Sequence, residues 1–224
     1  MKRGSTGVLV WVCLLLLGTV AAFPQGAFVN LDFEAANVQD LPYPGSGELV
    51  HISDGVPGWS ISPTAGLDLM GHNSLPLGGA AVEILGPNWP SSQILQGNYT
   101  VALYASFMGP PQQASIFQTG EIPTGSRSIL FYGTGGFNLS FAGQNIPVTA
   151  VGSGPNYTIF GGDVTPYAGQ AGQLLFTGNS LLSLLDNVTF SPSEIPEPSM
   201  VGMMAVGSVM LGFCRLRRLR TTGS

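Results

Sequence analysis

Between residues 23 and 194 no stretch repeats its apolar residues with the 3.6-residue period of a helix. Short runs rich in Val, Ile, Leu, Phe and Tyr recur there instead, separated by clusters of Gly, Pro, Asn and Ser. A chain punctuated this way, with 32 glycines and 17 prolines in 224 residues, cannot sustain long helices and reads as all-β. The runs taken as strands are 28–33, 49–52, 59–61, 80–85, 92–95, 99–107, 114–119, 128–132, 137–141, 145–151, 157–164, 173–177 and 184–190. That many short strands overfill one flat sheet, so two packed sheets forming a sandwich are expected.

Alternation gives the faces. Along 99–107 one face carries Tyr99, Val101, Leu103, Ala105 and Phe107, the expected core side, and the other carries Thr100, Ala102, Tyr104 and Ser106. Along 137–141 the alternation is strict, with Asn138 and Ser140 pointing out. Gly133-Thr134-Gly135-Gly136 between 128–132 and 137–141 reads as a hairpin turn, because its glycines tolerate positive φ.

Charged residues are only 8% of the chain, against about 25% in an ordinary soluble domain. All twelve carboxylates lie between Asp32 and Glu197, a span in which Arg127 is the only Lys or Arg. Without a basic cluster to displace phosphate counterions, nucleic acid is excluded as a partner.

The two ends read as addresses. Lys2 and Arg3 precede an apolar run from Val8 to Val20, and Val20-Ala21-Ala22 supplies small residues for a signal peptidase, so residues 1–22 are expected to be a signal peptide. At the other end, Pro196-Glu197-Pro198 precedes an uncharged stretch, about 199–214, that is expected to cross a membrane; Arg215, Arg217, Arg218 and Arg220 follow it. The two prolines hold the junction extended and accessible. In this order the triplet, apolar segment and basic cluster of residues 195–224 resemble a PEP-CTERM sorting signal. The resemblance implies an inner-membrane-anchored precursor, recognition by the transpeptidase exosortase, and passage to the cell surface or an extracellular polysaccharide matrix. Cys13 and Cys214 lie in the two end segments, so residues 23–194 hold no disulfide, thiolate metal site or thiol nucleophile.

Within 23–194, the landmarks Val29-Asn30-Leu31-Asp32-Phe33-Glu34, Gly55-Val56-Pro57-Gly58-Trp59-Ser60, Gly79-Ala80-Ala81-Val82-Glu83-Ile84, Ser92-Gln93-Ile94-Leu95 and Leu184-Leu185-Asp186-Asn187-Val188-Thr189-Phe190 are similar to galactose-binding-like jelly rolls, which include carbohydrate-binding modules. The resemblance implies a two-sheet jelly-roll-like sandwich. It also implies a structural calcium ion, for which Asn30, Glu34 and Asp186 stand at the matching positions; backbone carbonyls and water would have to complete the six to eight oxygens calcium takes.

Sugar recognition needs exposed aromatic faces, and Trp89, Tyr157 and Tyr167, all beside Gly, Pro or Asn turns, are the candidates; Trp59, entering a strand, reads as core. Catalysis finds no motif. His51 reads as an outward strand residue and His72 as part of a turn, neither in a nucleophile-elbow context, and the spacing of the acids selects no glycosidase pair. The sequence therefore reads as a non-enzymatic exported surface or matrix protein associated with exopolysaccharide. A carbohydrate-binding module with a specific glycan is the alternative, and a secreted glycoside hydrolase is the alternative of another class. The tail reading is tested by the intact mass and location of the protein in cells with and without active exosortase. Loss of roughly the last 25 residues, and outward release only in active cells, is the expected result.

Overall fold

The computed structural model describes residues 26–39, 41, 48–65, 68–74, 78–107 and 112–195. The expected signal peptide, the Pro196-Glu197-Pro198 triplet, the expected membrane helix and the arginine cluster lie outside the described residues. Among the described residues no helix is long and apolar enough to cross a membrane.

In chain order the elements are β1 (Glu48–His51), a one-turn α1 (Ile52–Gly55), β2 (Ser60–Ser62), β3 (Leu69–His72), β4 (Ala81–Leu85), β5 (Thr100–Tyr104), β6 (Ser115–Glu121), β7 (Ser128–Thr134), β8 (Phe137–Phe141), β9 (Gln144–Ile146), β10 (Val148–Ser153), β11 (Thr158–Asp163), β12 (Ala171–Gly178) and β13 (Leu182–Ser191). They form an eight-stranded sheet, ordered β1-β3-β4-β5-β13-β7-β11-β10, and a five-stranded sheet, ordered β2-β6-β12-β8-β9. The strand neighbours are antiparallel except β3 and β4, which run parallel with Gly71 opposite Glu83.

The alternating apolar residues of both sheets meet in one core. Phe131 from the large sheet packs edge-on against Phe137 and Phe176 of the small one, with ring centroids 5.2 Å apart in both cases. Trp59 is buried as its sequence context implies. It packs on Phe33 and Phe176, and its Nε1 donates to the Asn30 carbonyl at 2.9 Å.

Of the expected core face Tyr99, Val101, Leu103, Ala105 and Phe107, Val101 and Leu103 are in this core and Tyr99 packs against it, but the strand ends at Tyr104 and Phe107 is exposed. The opposite face is not solvated, since all five residues of β5 are buried. A second, smaller cluster covers that outer face. It is made of Leu85, Ala102, Tyr104 and Leu184 from the sheet and Leu95 from the loop between β4 and β5.

Several sequence expectations are corrected. Residues 28–33 are a turn and not a strand, because Asn30 and Phe33 adopt left-handed φ values of 49° and 58° and the Asn30 side chain ties Ala35 N to the Pro57 carbonyl. Residues 92–95 form no strand; Ser91–Gln93 is a single 3-10 turn. The run 145–151 splits at Pro147, which cannot donate to a ladder, into β9 and β10 on different sheets. Gly133 to Gly136 make no hairpin: β7 and β8 lie in different sheets, and Gly135 at φ 77° turns the chain from one to the other. His72 is the last residue of β3 and not a turn residue.

The Trp59 indole joins the N-terminal turn to the core, so its two contributions separate by substitution. Trp59→Phe, which keeps most of the ring and loses the hydrogen bond, is expected to cost about 1–2 kcal/mol. Trp59→Ala is expected to cost about 3–5 kcal/mol. Urea denaturation reads both, and a neutral Trp59→Phe would show that the bond to Asn30 does not hold the turn.

Candidate functional site

Strand alternation places Ala81, Glu83 and Leu85 of β4 on the outer face of the large sheet, opposite the core residues Val82 and Ile84. An acidic residue on such a face normally stands in water, but Glu83 is 2% exposed. The reason lies on the neighbouring strand. Gly71 faces Glu83 across the parallel pair, and a Cβ at Gly71 would come within 2.6 Å of Glu83 Cγ, so the glutamate side chain lies over β3 only because residue 71 has none.

Glu83 is one of the residues lining a cleft of about 300 Å³, together with Leu49, Pro63, Thr64, Ser74 and the small residues Gly71, Gly79, Ala80 and Ala81. Ser74 Oγ donates to Glu83 Oε1 at 2.8 Å, while the buried Oε2 has no hydrogen-bond partner. Burial pushes the Glu83 pKa up from 4.5 to about 7, against the opposing hydrogen bonds from the Ser74 side chain and backbone. Tyr104, diagonal to Glu83 on the same face through the Ala81 and Ala102 pairings, is also buried with its hydroxyl unpartnered; burial and the Glu83 charge push it up to about 12. The cleft thus combines small apolar walls with one carboxyl that exchanges its proton near neutral pH, the kind of group that marks functional sites.

A second buried carboxyl, Asp186, serves the loop that covers the rest of this face. Its Oδ2 accepts from Gln96 N at 3.0 Å and Thr100 Oγ1 at 2.8 Å, and its Oδ1 from Asn187 N at 2.7 Å. Desolvation outweighs these donors, with Glu34 adding to the upward shift, and the Asp186 pKa rises to about 7. Glu34 accepts from Asn98 N, Asn98 Nδ2 and Tyr99 N at 2.8–3.0 Å. Asn73 holds the loop's other end through Gly86 N and the Pro87 carbonyl.

Of the three residues expected to ligate calcium, Glu34 and Asp186 therefore meet on residues 96–99, while Asn30 is committed to the separate turn at Ala35 and Pro57. Their oxygens accept N–H and O–H donors, so a calcium ion would have to displace those donors. Among the described residues no three His, Cys, Asp or Glu side chains group as a metal site.

The aromatic candidates also separate. Trp89 is half-buried in the β4–β5 loop, with Nε1 donating to Gln93 Oε1 at 2.8 Å, and packs on the second cluster together with Tyr157. Tyr157 stacks on Tyr132 at 4.1 Å. Tyr167 is elsewhere, against Phe141 of the small sheet and the main core. The structure brings two of the three to one cluster and leaves the third apart. His51 is exposed, as expected, and the buried His72 places Nδ1 3.5 Å from Glu48 Oε2. Nothing in its own strand pattern marks Glu83 as more than an outward-facing acid; the only local signal is the run of small residues on its flank, Gly79-Ala80-Ala81.

No family model and no curated protein matches the chain. Among solved structures it is similar to an apo cyclase from Fischerella sp. at 18% identity, covering 76% of this chain and 97% of that one with a TM-score of 0.41. It is similar at 16% identity to a Stig cyclase from Fischerella sp. TAU in complex with (3Z)-3-(1-methyl-2-pyrrolidinylidene)-3H-indole, covering 76% and 98% with a TM-score of 0.41. A third similar structure is TmCBM61 in complex with beta-1,4-galactotriose, at 15% identity, 75% and 98% coverage and a TM-score of 0.35. The expectation of a non-enzymatic protein is corrected by these findings, which do not bear on export. Cyclases recur among the similar structures beside a carbohydrate-binding module, so the non-enzymatic assignment is withdrawn. Likeness at this distance does not carry any of their reactions to this chain.

Because both buried carboxyls have folded pKa values above their ordinary ones, they bind protons more tightly in the folded state. Their contribution to stability is complete below about pH 4 and is lost as pH rises through about 7. Replacing Glu83 by Gln removes its share. Relative to the wild type, Glu83→Gln is expected to gain roughly 1–3 kcal/mol between pH 4 and pH 8.5 in urea denaturation, with Asp186 supplying the pH dependence that remains. A difference that stays constant over that range would show that Glu83 titrates as an exposed acid.

Proposed function

We propose that this chain is an exported β-sandwich protein whose ligand site is the Glu83 cleft, where the carboxyl pairs with a hydroxyl or N–H of a small molecule and can give it, or take from it, a proton. The observation that carries this reading is Glu83 itself, a cleft-lining residue whose carboxyl is buried with Oε2 unpartnered. Leaving such an oxygen unpaired costs about 1–3 kcal/mol, which a bound donor recovers. A carboxyl with a pKa near 7 is balanced between its two protonation states at neutral pH, the condition for general acid–base work.

Export rests on the sequence of the two ends. In the proposal the signal peptide is removed by signal peptidase, and the Pro196-Glu197-Pro198 tail holds the precursor in the inner membrane until exosortase acts. The sandwich then reaches the cell surface or an extracellular matrix. The jelly-roll resemblance agrees with a ligand-binding sandwich, and extracellular polysaccharide is its proposed surroundings.

A thermal-shift screen of small compounds bearing hydroxyl or N–H groups tests the cleft. A ligand present at about a hundred times its Kd stabilises the folded state by about 2.7 kcal/mol, an increase in Tm of several degrees. Hits are expected to lose that shift in Gly71→Ala, whose Cβ displaces the Glu83 side chain. Hits that stabilise Gly71→Ala and Glu83→Gln as well as the wild type would place the site elsewhere.

A further inference from the structure

Independently of the cleft, we infer that Tyr132 and Tyr157 form an oxidative cross-linking site, at which a one-electron oxidant joins their rings into a dityrosine that takes the place of a disulfide.

The two rings are held for this step. Tyr132 stands opposite Ile159 in the β7–β11 pair, and Tyr157, two residues before Ile159, shares its face one diagonal step away. The rings stack with centroids 4.1 Å apart and planes 10° from parallel. The turn between β10 and β11 fixes Tyr157. Gly154 N donates to the Tyr157 carbonyl at 2.9 Å, and a Cβ at Gly154 would come within 2.2 Å of Tyr157 Cζ, so the ring lies over its own turn only because residue 154 has no side chain. Asn156 Nδ2 anchors the same turn on the Ile94 carbonyl at 2.8 Å. Desolvation and then the Tyr132 hydroxyl raise the Tyr157 pKa above its ordinary value, which puts the hydroxyl ends of the two rings side by side. Their Cε carbons, ortho to those hydroxyls and the positions at which phenoxyl radicals couple, therefore face one another. Both residues are half-buried, so solvent reaches the pair. A sugar would need an open aromatic face, whereas those of Tyr157 are taken by Tyr132 and by the Gly154 turn.

The step balances with hydrogen peroxide as the oxidant and a haem peroxidase to deliver it in one-electron steps. Each phenol gives up one electron and one proton, and the two phenoxyl radicals form a Cε–Cε bond. The hydrogen on each bonded carbon then moves to the adjoining oxygen as the ring regains its aromaticity. Peroxide takes up the two electrons and two protons and leaves as two waters, so the protein becomes lighter by two hydrogen atoms.

The placement gives the bond a use. Residues 23–194 hold no cysteine, so no disulfide can brace the sandwich. Between Tyr132 and Tyr157 the chain passes through β8 and β9 of the small sheet and returns on β10 to the large one, so a bond here closes a loop that runs through both sheets. Closing such a loop restricts the unfolded chain as a disulfide does. Among the described residues no other two tyrosines stack.

The test is treatment of the dilute full chain with a haem peroxidase and hydrogen peroxide, read by peptide mapping, dityrosine fluorescence and thermal melts. The expected product is a monomer lighter by two hydrogen atoms, with the Tyr132 peptide joined to the Tyr157 peptide and a Tm raised by several degrees. Tyr132→Phe and Tyr157→Phe are each expected to lose the product. Gly154→Ala, which keeps both phenols but pushes the Tyr157 ring out of place, is expected to form it about tenfold more slowly. Melts before oxidation establish that the three variants are folded. Coupling only between molecules, coupling through other tyrosines, or an unchanged rate in Gly154→Ala would overturn the site. A cross-link that forms and leaves the Tm unchanged would overturn its bracing role.

Discussion

Burial of the large sheet on both faces is the constraint from which the other features follow. A sheet in a two-layer sandwich ordinarily packs one face and wets the other. Here β5 and its neighbours also bury their outer face, under the loop that runs from Gly86 to Tyr99. That loop has little regular structure of its own, so its backbone groups must be satisfied by side chains from distant parts of the chain. Glu34, Asn73, Asn156 and Asp186 do this, and Asn156 Nδ2 reaches the Ile94 carbonyl at 2.8 Å. A buried acid at position 186 is a consequence of covering the sheet in this way.

The cover is one-sided. It lies over β5 and β13, and across β3 and β4 the outer face opens into the cleft. Glu83 stands at that opening, on a strand whose other face is core. It is enclosed enough to lose its water. The two buried carboxyls of this face therefore differ in kind. Asp186 is saturated with donors and acts as a structural clamp, whereas Glu83 keeps an oxygen unused. Burial raises both, so desolvation does not distinguish them; the unpaired oxygen of Glu83 does.

Much of the fold was legible in the sequence because period-2 alternation directly reports which face is buried. The strict pattern of Phe137 to Phe141 and the inward set Val101 and Leu103 fall where alternation puts them. What alternation does not report is a backbone that leaves the β region. Phe33 at φ 58° is an aromatic residue in a conformation its chemistry disfavours, and nothing in Leu31-Asp32-Phe33 announces it. β3 was hidden because Leu69-Met70-Gly71-His72 is short and contains a glycine, and glycine reads as punctuation. That same glycine makes room for Glu83. The site was illegible for a related reason: a Glu alternating with Val and Ile is the ordinary signature of an outward residue, and only the pairing of β4 with β3, a non-local fact, buries it. The proposed sorting tail is a different kind of signal: its order of proline triplet, apolar stretch and arginines is entirely local, and it lies outside the described residues.

The central claim is that Glu83 is a desolvated, unpaired acid at neutral pH. The most direct measurement is an NMR titration of the Glu83 side-chain carboxyl carbon, assigned by its loss in Glu83→Gln. The account requires a midpoint near pH 7. A midpoint near 4.5 would mean that the carboxyl is solvated, and the cleft would then be a dent in the surface with no special chemistry.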